Sequence, residues 1–195
     1  MKKMKLSMMA IAFIGTLVSC GKKDNTTPTP PPSVAVTDSI EIPFSTNNYA
    51  LYSFKNKMRV PNSDSATTKW DIGIRFVSII LNSHSSGVGN AGVISKNGIY
   101  DSYLTAPETG YAYDTTAATP AINASFTNGW YNYNDVTHAF SPKAGLFFVI
   151  RTADNHYVKM EITAVNYAGY TPPNPTPTTL IYKFRYSYQE NGRNF

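Results

Sequence analysis

Few side chains in this sequence can bind a metal ion or act as a nucleophile. The chain has 195 residues, among them one cysteine, three histidines and six methionines. Imidazole, thioether, thiolate and phenolate groups are the common donors to transition metals. Apart from the tyrosines, the strong candidate donors beyond the first 20 residues are Met58, His84, His138, His156 and Met160. These residue types can ligate a metal ion, so a binding site depends on which strands and loops bring them together.

The motifs of hydrolases and nucleotide-dependent enzymes are absent from the sequence. It contains no G-x-S-x-G, H-E-x-x-H or C-x-x-C pattern, and the glycines of 87–92 lack the lysine of a phosphate-binding loop. The scattered carboxylates show no spacing that indicates a glycosidase pair. Asp71, inside a predicted β segment, is expected to hydrogen-bond a neighbouring loop. We therefore expect a binding protein and not an enzyme.

The N-terminal segment has the pattern of a bacterial lipoprotein signal peptide. Lysines within the first five residues precede an apolar run over 6–16, which is too short to cross a bilayer as a mature helix. Residues 17–20, LVSC, resemble a lipobox, so Cys20 is expected to carry the lipid and to become the new N-terminus. The alternative is an ordinary secretory signal with an unused cysteine. Either way, we expect an exported protein.

Removal of residues 1–19 lowers the net charge of the mature protein, which is the charge that a binding partner meets. This segment contains three lysines and no acidic residue, so the formal net charge falls from +5 to about +2. No Lys/Arg cluster with interleaved aromatic residues remains, and we expect no nucleic-acid partner. Residues 20–33 are predicted to form a lipidated, Pro/Thr-rich tether, and 34–195 one domain with its own core. The membrane is then reached through the lipid anchor alone.

From residue 34 onward the pattern predicts an all-β, mostly antiparallel domain. Aromatic and β-branched residues alternate with polar ones, and Gly, Asn, Thr and Pro interrupt them at short intervals. The turn of a hairpin is expected at 152–155, and flexible or long loops at 82–92 and 167–179. The predicted strands are 49–54, 69–76, 77–82, 146–151, 156–165 and 180–189.

Five segments in order resemble the HmuY family of haem-binding lipoproteins. They are WDIGIRF at 70–76, the small-residue loop NSHSSGVGNAGV after it, GWYNY at 129–133, VIRTADNHYVKM at 149–160 and FRYSYQENGRNF at the C-terminus. Together they cover nearly the whole domain. The resemblance implies a hand-shaped all-β fold with long loops that grips haem between two loop regions. It also implies delivery of haem to a TonB-dependent outer-membrane receptor, from a lipoprotein of the outer membrane that is displayed on the cell surface or released.

The resemblance also implies two axial ligands to the haem iron. His138 falls where the first ligand of the family lies, on a segment that connects the W-x-x-Y motif with the hairpin. The loop that would supply the second ligand contains neither His nor Met, which departs from the family pattern. Tyr167 and Tyr170 are its donors, and Tyr170 is the better placed. Ligation by His138 alone, a porphyrin held by stacking, or loss of haem binding remain alternatives.

The other candidates have structural explanations. Met160 alternates with apolar residues and is expected in the core, and His156 is expected to face solvent at a turn. His84 lies in a glycine-containing loop, and Met58 in a charged segment. A different class of function also stays open, in which a surface β-domain binds a glycan or a protein through exposed aromatic side chains. The candidates for such a surface are Tyr100, Tyr103, Tyr111, Tyr113, Trp130, Tyr131 and Tyr133.

Overall fold

A computed structural model of the chain describes residues 31–116, 118–169 and 177–195. These residues form eleven β-strands and two short 3₁₀ turns, Asn62–Asp64 and Tyr100–Ser102. No helix among them is long and apolar enough to cross a membrane. The strands are β1 (Val36–Pro43), β2 (Ala50–Ser53), β3 (Met58–Val60), β4 (Ile72–Arg75), β5 (Ser78–Leu81), β6 (Gly92–Asn97), β7 (Tyr131–Asn134), β8 (Ala139–Pro142), β9 (Leu146–Arg151), β10 (Tyr157–Ala168) and β11 (Thr179–Gln189).

The strands are arranged in three sheets. A five-stranded sheet has the order β1-β11-β10-β9-β6, and a four-stranded sheet has the order β3-β2-β4-β5. Strands β7 and β8 form a separate two-stranded hairpin. Every named pair is antiparallel. The predicted fold class, all-β and mostly antiparallel, is confirmed.

The main core lies between facing sides of the two larger sheets. On β11, Tyr182, Phe184 and Tyr186 alternate with more exposed residues and are fully buried, as the pattern of the last strand predicts. They meet Tyr52 of β2 and Phe54, which directly follows that strand, with the rings of Tyr52 and Phe184 5.2 Å apart in an edge-on contact. Aromatic residues therefore supply much of the area that this core buries.

The outer face of the five-stranded sheet is covered by two chain segments. Phe147 and Val149 point outward from β9 and are buried beneath Tyr100 and the C-terminal Phe195. The N–H of Phe195 donates to the Leu104 carbonyl over 2.8 Å, which ties the C-terminus down. A sheet buried on both faces leaves the loops at its ends as places where a ligand can bind.

The six predicted strands are all present, and their ends lie within three residues of the predicted positions. The turn over 152–155 is also confirmed, because the N–H of Thr152 donates to the His156 carbonyl over 2.8 Å. Strands β1, β3, β6, β7 and β8 were not predicted. Strands β3, β7 and β8 are only three or four residues long, and half of the residues of β1 and β6 are polar, so these five strands become regular only by pairing with their neighbours.

A β-bulge changes which residues of β10 face the core beyond Ile162. The register with β11 shifts between Ile162 and Ala164, which leaves Thr163 as the extra residue. After the bulge, Val165 and not Ala164 is buried in the core. Tyr167, two residues further, packs on the same side. The bulge thereby turns the Tyr167 ring toward the rest of the molecule.

The loop predicted to be flexible at 82–92 is held by a buried amide. Asn82 is fully buried, and its side-chain nitrogen donates to the Trp70 carbonyl over 2.7 Å. Its Oδ1 accepts the N–H of Gly89 over 2.9 Å. A β-carbon at Gly87 would lie 2.1 Å from the same Oδ1. The glycines therefore allow close packing around Asn82, which gives the loop a buried anchor that its small residues did not predict.

Buried carboxylates connect separate parts of the fold. Asp71 accepts the N–H of Phe54 over 2.9 Å and the N–H of Ala153, in the β9–β10 turn, over 3.0 Å. Asp114 is likewise buried and accepts the N–H of Leu81 over 2.8 Å. Asp71 hydrogen-bonds a loop, as predicted. Burial raises the pKa of Asp71 to about 6, while the two N–H donors act in the opposite direction.

The raised pKa of Asp71 predicts a contribution to stability that depends on pH. The native carboxyl binds a proton more readily than the unfolded one, so this contribution is present at low pH and is lost as the pH rises through about 6. We expect the free energy of unfolding to fall by about 2 to 3 kcal/mol more in the wild type than in Asp71→Asn between about pH 4 and pH 7. Urea denaturation at both pH values measures this difference, and parallel behaviour of the two proteins would contradict it.

Candidate functional site

His138 lies at the tip of the β7–β8 hairpin. The sequence placed it on a connecting segment, whereas the structure places it at the end of a tight turn with a φ of +53°. The residue is exposed, and its Nδ1 is 2.9 Å from the Tyr133 hydroxyl. The tautomer that donates Nδ1–H to the phenol oxygen leaves the Nε2 lone pair available to a metal. His138 is therefore oriented and accessible.

Tyr133 lies on the face of the hairpin that turns toward the sheets. Residues on one face of a strand are two apart, so Tyr133 shares its face with Tyr131, and Phe140 is its partner on β8. Tyr131 and Phe140 are buried in the core, whereas Tyr133 extends beyond it. The ring of Phe126 packs 5.7 Å from that of Tyr133. The His138 imidazole thus lies beside the exposed rings of Tyr133 and Phe126, which we call the aromatic edge.

The hairpin is attached to the five-stranded sheet by the Tyr167 hydroxyl. This oxygen accepts the N–H of Phe140 over 2.6 Å and donates to the carbonyl of Phe140 over 3.1 Å. The N–H and C=O of one strand residue point to the same side, so the hydroxyl occupies the place of a neighbouring strand. A second attachment is the Trp130 indole, which donates to the Val77 carbonyl over 2.9 Å. The position of His138 depends on these bonds.

Two exposed phenylalanines lie near the base of the hairpin. Phe76 has its ring 5.4 Å from that of Phe140 and 5.7 Å from that of Phe44. The N–H of Phe44 donates to the Thr178 carbonyl over 2.8 Å, at the base of the 169–178 loop. The two rings, 48% and 36% exposed as residues, form an aromatic surface between the hairpin and that loop. We call Phe44 and Phe76 the aromatic wall.

Phe76 adopts an unusual backbone conformation. It has a φ of +48° in the two-residue connection between β4 and β5. Such hairpin turns favour Gly or Asn at positive φ, and a bulky residue there is strained by about 1 to 3 kcal/mol. The Tyr182 hydroxyl donates to the Phe76 carbonyl and helps to hold the turn. Despite this strain, the turn holds the Phe76 ring in contact with the rings of Phe140 and Phe44.

The second predicted ligand, Tyr170, lies outside the described residues. Both ends of its loop are described, and the N–H of Thr178 donates to the Ala168 carbonyl over 3.0 Å. Gly169 has a φ of +76°, and a β-carbon there would lie 1.9 Å from the Thr178 hydroxyl. Tyr167, the other donor considered for this loop, uses its hydroxyl to hold the hairpin. It therefore serves a structural role.

The remaining candidate donors are dispersed. His84 is exposed and stacks on Tyr113 with ring centroids 4.8 Å apart, and His156 has its Nδ1 2.9 Å from Asp154. Met160 is buried in the core, as predicted, and Met58 is exposed on β3. Within the described ranges, no three His, Cys, Asp or Glu side chains could together hold a metal ion. A site for a bare metal ion is therefore not formed by these residues.

The aromatic surface considered for a glycan is largely internal. Tyr100, Tyr111, Trp130 and Tyr131 are buried and pack loops onto the sheets. Of the seven candidates, Tyr133 is the most exposed, at 39%, and it pairs with His138. The exposed part of this candidate surface therefore reduces to Tyr133 with the half-buried Tyr103 and Tyr113. The sequence missed the role of Tyr133 because the hairpin that brings it to His138 was not predicted.

Comparisons with known proteins give likenesses of fold only. No protein-family model matches the sequence, and no curated protein sequence matches it significantly. Among solved structures, a HmuY-like haem-binding protein from Bacteroides vulgatus has 15% identity and a TM-score of 0.49, over 78% of this chain and 92% of that one. The apo HmuY analogue of Tannerella forsythia has 11% identity and a TM-score of 0.49, over 79% and 97%. A lipoprotein from Bacteroides fragilis has 10% identity and a TM-score of 0.47, over 80% and 92%. No residue role is carried over from them.

Loss of the Tyr167 hydroxyl is expected to loosen the hairpin selectively. In Tyr167→Phe, the Phe140 N–H loses its acceptor, which costs about 1 to 3 kcal/mol. Hydrogen exchange of amides in 131–142 should accelerate, while that of β4 and β5 should not change. Tyr188→Phe is the matched control, because the Tyr188 hydroxyl is buried without a hydrogen-bond partner in the described structure. Equal effects of the two variants on the hairpin would refute this role of Tyr167.

Proposed function

We propose that this chain is an envelope lipoprotein that binds haem and delivers it to a TonB-dependent outer-membrane receptor. The observation that supports this function best is the pairing of His138 with Tyr133 at the free end of the hairpin. An imidazole that is oriented through Nδ1 and open at Nε2 is suited to axial ligation of iron. The proposed function is binding and transfer, and it requires no catalytic group.

The neighbouring side chains can hold the rest of a porphyrin. A haem needs apolar walls for its macrocycle, and Phe44 and Phe76 provide exposed aromatic rings close to the hairpin. Phe126, which is 62% exposed, extends the aromatic edge beside Tyr133. In this proposal His138 ligates the iron, Tyr133 fixes the imidazole, and the aromatic wall contacts the ring plane.

For the second axial position we propose Tyr170. A phenol has an ordinary pKa of about 10, so the ferric iron must displace its proton for the oxygen to bind as phenolate. One end of the loop that carries Tyr170 is joined to Phe44, whose N–H donates to the Thr178 carbonyl, and the other end follows Tyr167, which is bonded to Phe140. Haem ligated by His138 alone differs from this arrangement in its absorption spectrum, so the two forms can be distinguished.

The anchoring of the protein is part of the same proposal. Residues 1–19 act as the signal peptide, Cys20 carries the lipid, and 20–33 form the tether to a domain over 34–195. The first strand begins at Val36 and lies at an edge of the five-stranded sheet. A tether that enters at an edge strand leaves the hairpin free to meet a receptor.

The haem proposal predicts that a single histidine controls the spectrum. Titration of the purified domain with ferric haem should give a Soret band that shifts on binding, and His138→Ala should abolish or alter that band. His84→Ala is the matched control, because His84 is also an exposed histidine at positive φ, stacked on a tyrosine. Absence of a spectral change with ferric and ferrous haem, or equal loss in the two variants, would overturn the proposal.

The hydrogen bond between Tyr133 and His138 is expected to tune haem affinity. Groups that orient a ligating histidine contribute roughly 10- to 100-fold in metal affinity, so Tyr133→Phe should weaken haem binding within that range without abolishing it. Tyr113→Phe, beside His84, serves as the comparison and should leave the affinity unchanged. Competitive transfer of haem to apomyoglobin measures both. Unchanged affinity in Tyr133→Phe would show that the phenol does not support a ligand.

A further inference from the structure

A concave site separate from the candidate haem site lies on the outer face of the four-stranded sheet. It is a pocket of about 300 Å³, which is at the lower end of the range for small-molecule sites. Neither the hairpin nor the aromatic wall contributes to it. The lining residues are Asn47, Asn48, Tyr49, Leu51, Asn62, Ser65, Trp70, Ile80 and Ser86.

The floor of the pocket is apolar. Leu51 on β2 and Ile80 on β5 point away from the main core and pack with Trp70 and Tyr49 in a small cluster of their own. Trp70 is almost fully buried, and its indole nitrogen donates to the Ser65 carbonyl over 2.9 Å. The floor is therefore rigid, and it contacts a ligand through the half-buried Tyr49 and Ile80.

The rim of the pocket is polar and uncharged. Three amides stand around the floor, from Asn47, Asn48 and Asn62, and all three residues are exposed. Their backbone groups make hydrogen bonds, but none of their side-chain amides bonds another described residue. Each amide offers two donors and an acceptor, and none of the nine lining residues carries a charge. Such a rim suits a neutral ligand with several hydroxyl groups.

Tyr49 is held in place before any ligand arrives. Its hydroxyl lies 3.1 Å from the Ser78 hydroxyl, and the Arg75 guanidinium covers its ring at 4.6 Å from the centroid. Arg75 also donates to the Asn47 carbonyl over 3.0 Å, which fixes the segment that carries two of the amides. A ligand would therefore meet side chains on a backbone that is already ordered, which lowers the entropic cost of binding.

We propose that this pocket binds a neutral hexopyranose residue. A sugar ring presents an apolar C–H face and a periphery of hydroxyl groups, which match the Tyr49 and Ile80 floor and the asparagine rim. The lining residues carry no charge, and the neighbouring Arg75 guanidinium is engaged by one face of the Tyr49 ring and by the Asn47 carbonyl, which disfavours phosphorylated, acidic and cationic ligands. The proposal does not depend on haem binding, because the two sites share no residue.

The two tryptophans of the chain provide a local test. Trp70 lies under the pocket, whereas Trp130 is buried beside the hairpin. We expect the Trp70 indole N–H resonance to shift saturably when the methyl glycosides of glucose, galactose, mannose or N-acetylglucosamine are added to the ¹⁵N-labelled domain. The Trp130 resonance should stay in place. At least one glycoside should bind with a millimolar dissociation constant, as expected for one sugar ring.

Substitutions at the rim separate specific binding from bulk effects. Asn48→Ala and Asn62→Ala remove exposed amides that support no other side chain, and each should weaken the glycoside at least 5-fold. Asn132→Ala, an exposed asparagine on β7, is the matched control and should have no effect. No Trp70 shift with any of the four glycosides at about 100 mM, equal shifts of both indoles, or binding that the rim variants leave unchanged would each overturn the proposal.

Discussion

The double hydrogen bond between the Tyr167 hydroxyl and the backbone of Phe140 is the constraint on which the candidate haem site depends. The β7–β8 hairpin pairs with neither of the larger sheets, so side chains must hold it. The bulge at Thr163 makes this contact geometrically available, because it changes which residues of β10 point inward. One inserted residue thus determines where an imidazole 25 positions earlier in the chain is presented.

Strands whose alternation serves the core were predictable from the sequence. In the aromatic face of β11 and the apolar run of β9, the residue types themselves predict which positions are buried. Strands β1 and β6 could not be found in this way, since half of their residues are polar and their regularity comes from pairing with β11 and β9. The course of β10 beyond Ile162 was also hidden, because a bulge depends on the partner strand as well as on its own residues.

The candidate site was only partly predictable for a related reason. The resemblance to a family pointed to His138. Its partner Tyr133 could not be identified, because no periodicity in the sequence predicts the β7–β8 hairpin that brings the two side chains together. Phe44 and Phe76 are 32 residues apart and come together only when the ends of two different sheets meet. The uncharged pocket could not be predicted either, because its asparagines lie in loops next to different strands. Sites made by loops depend on contacts between segments that a single sequence does not reveal.

The backbone of Phe76 has a consequence for protein engineering. A glycine at this turn would relieve the strain of the positive φ, but it would also remove the ring contacts with Phe140 and Phe44. A redesign aimed only at relaxing the backbone would therefore erase half of the exposed ring pair. Position 76 therefore sets backbone relaxation against aromatic surface, and a design that keeps the ring must accept the strain of the turn.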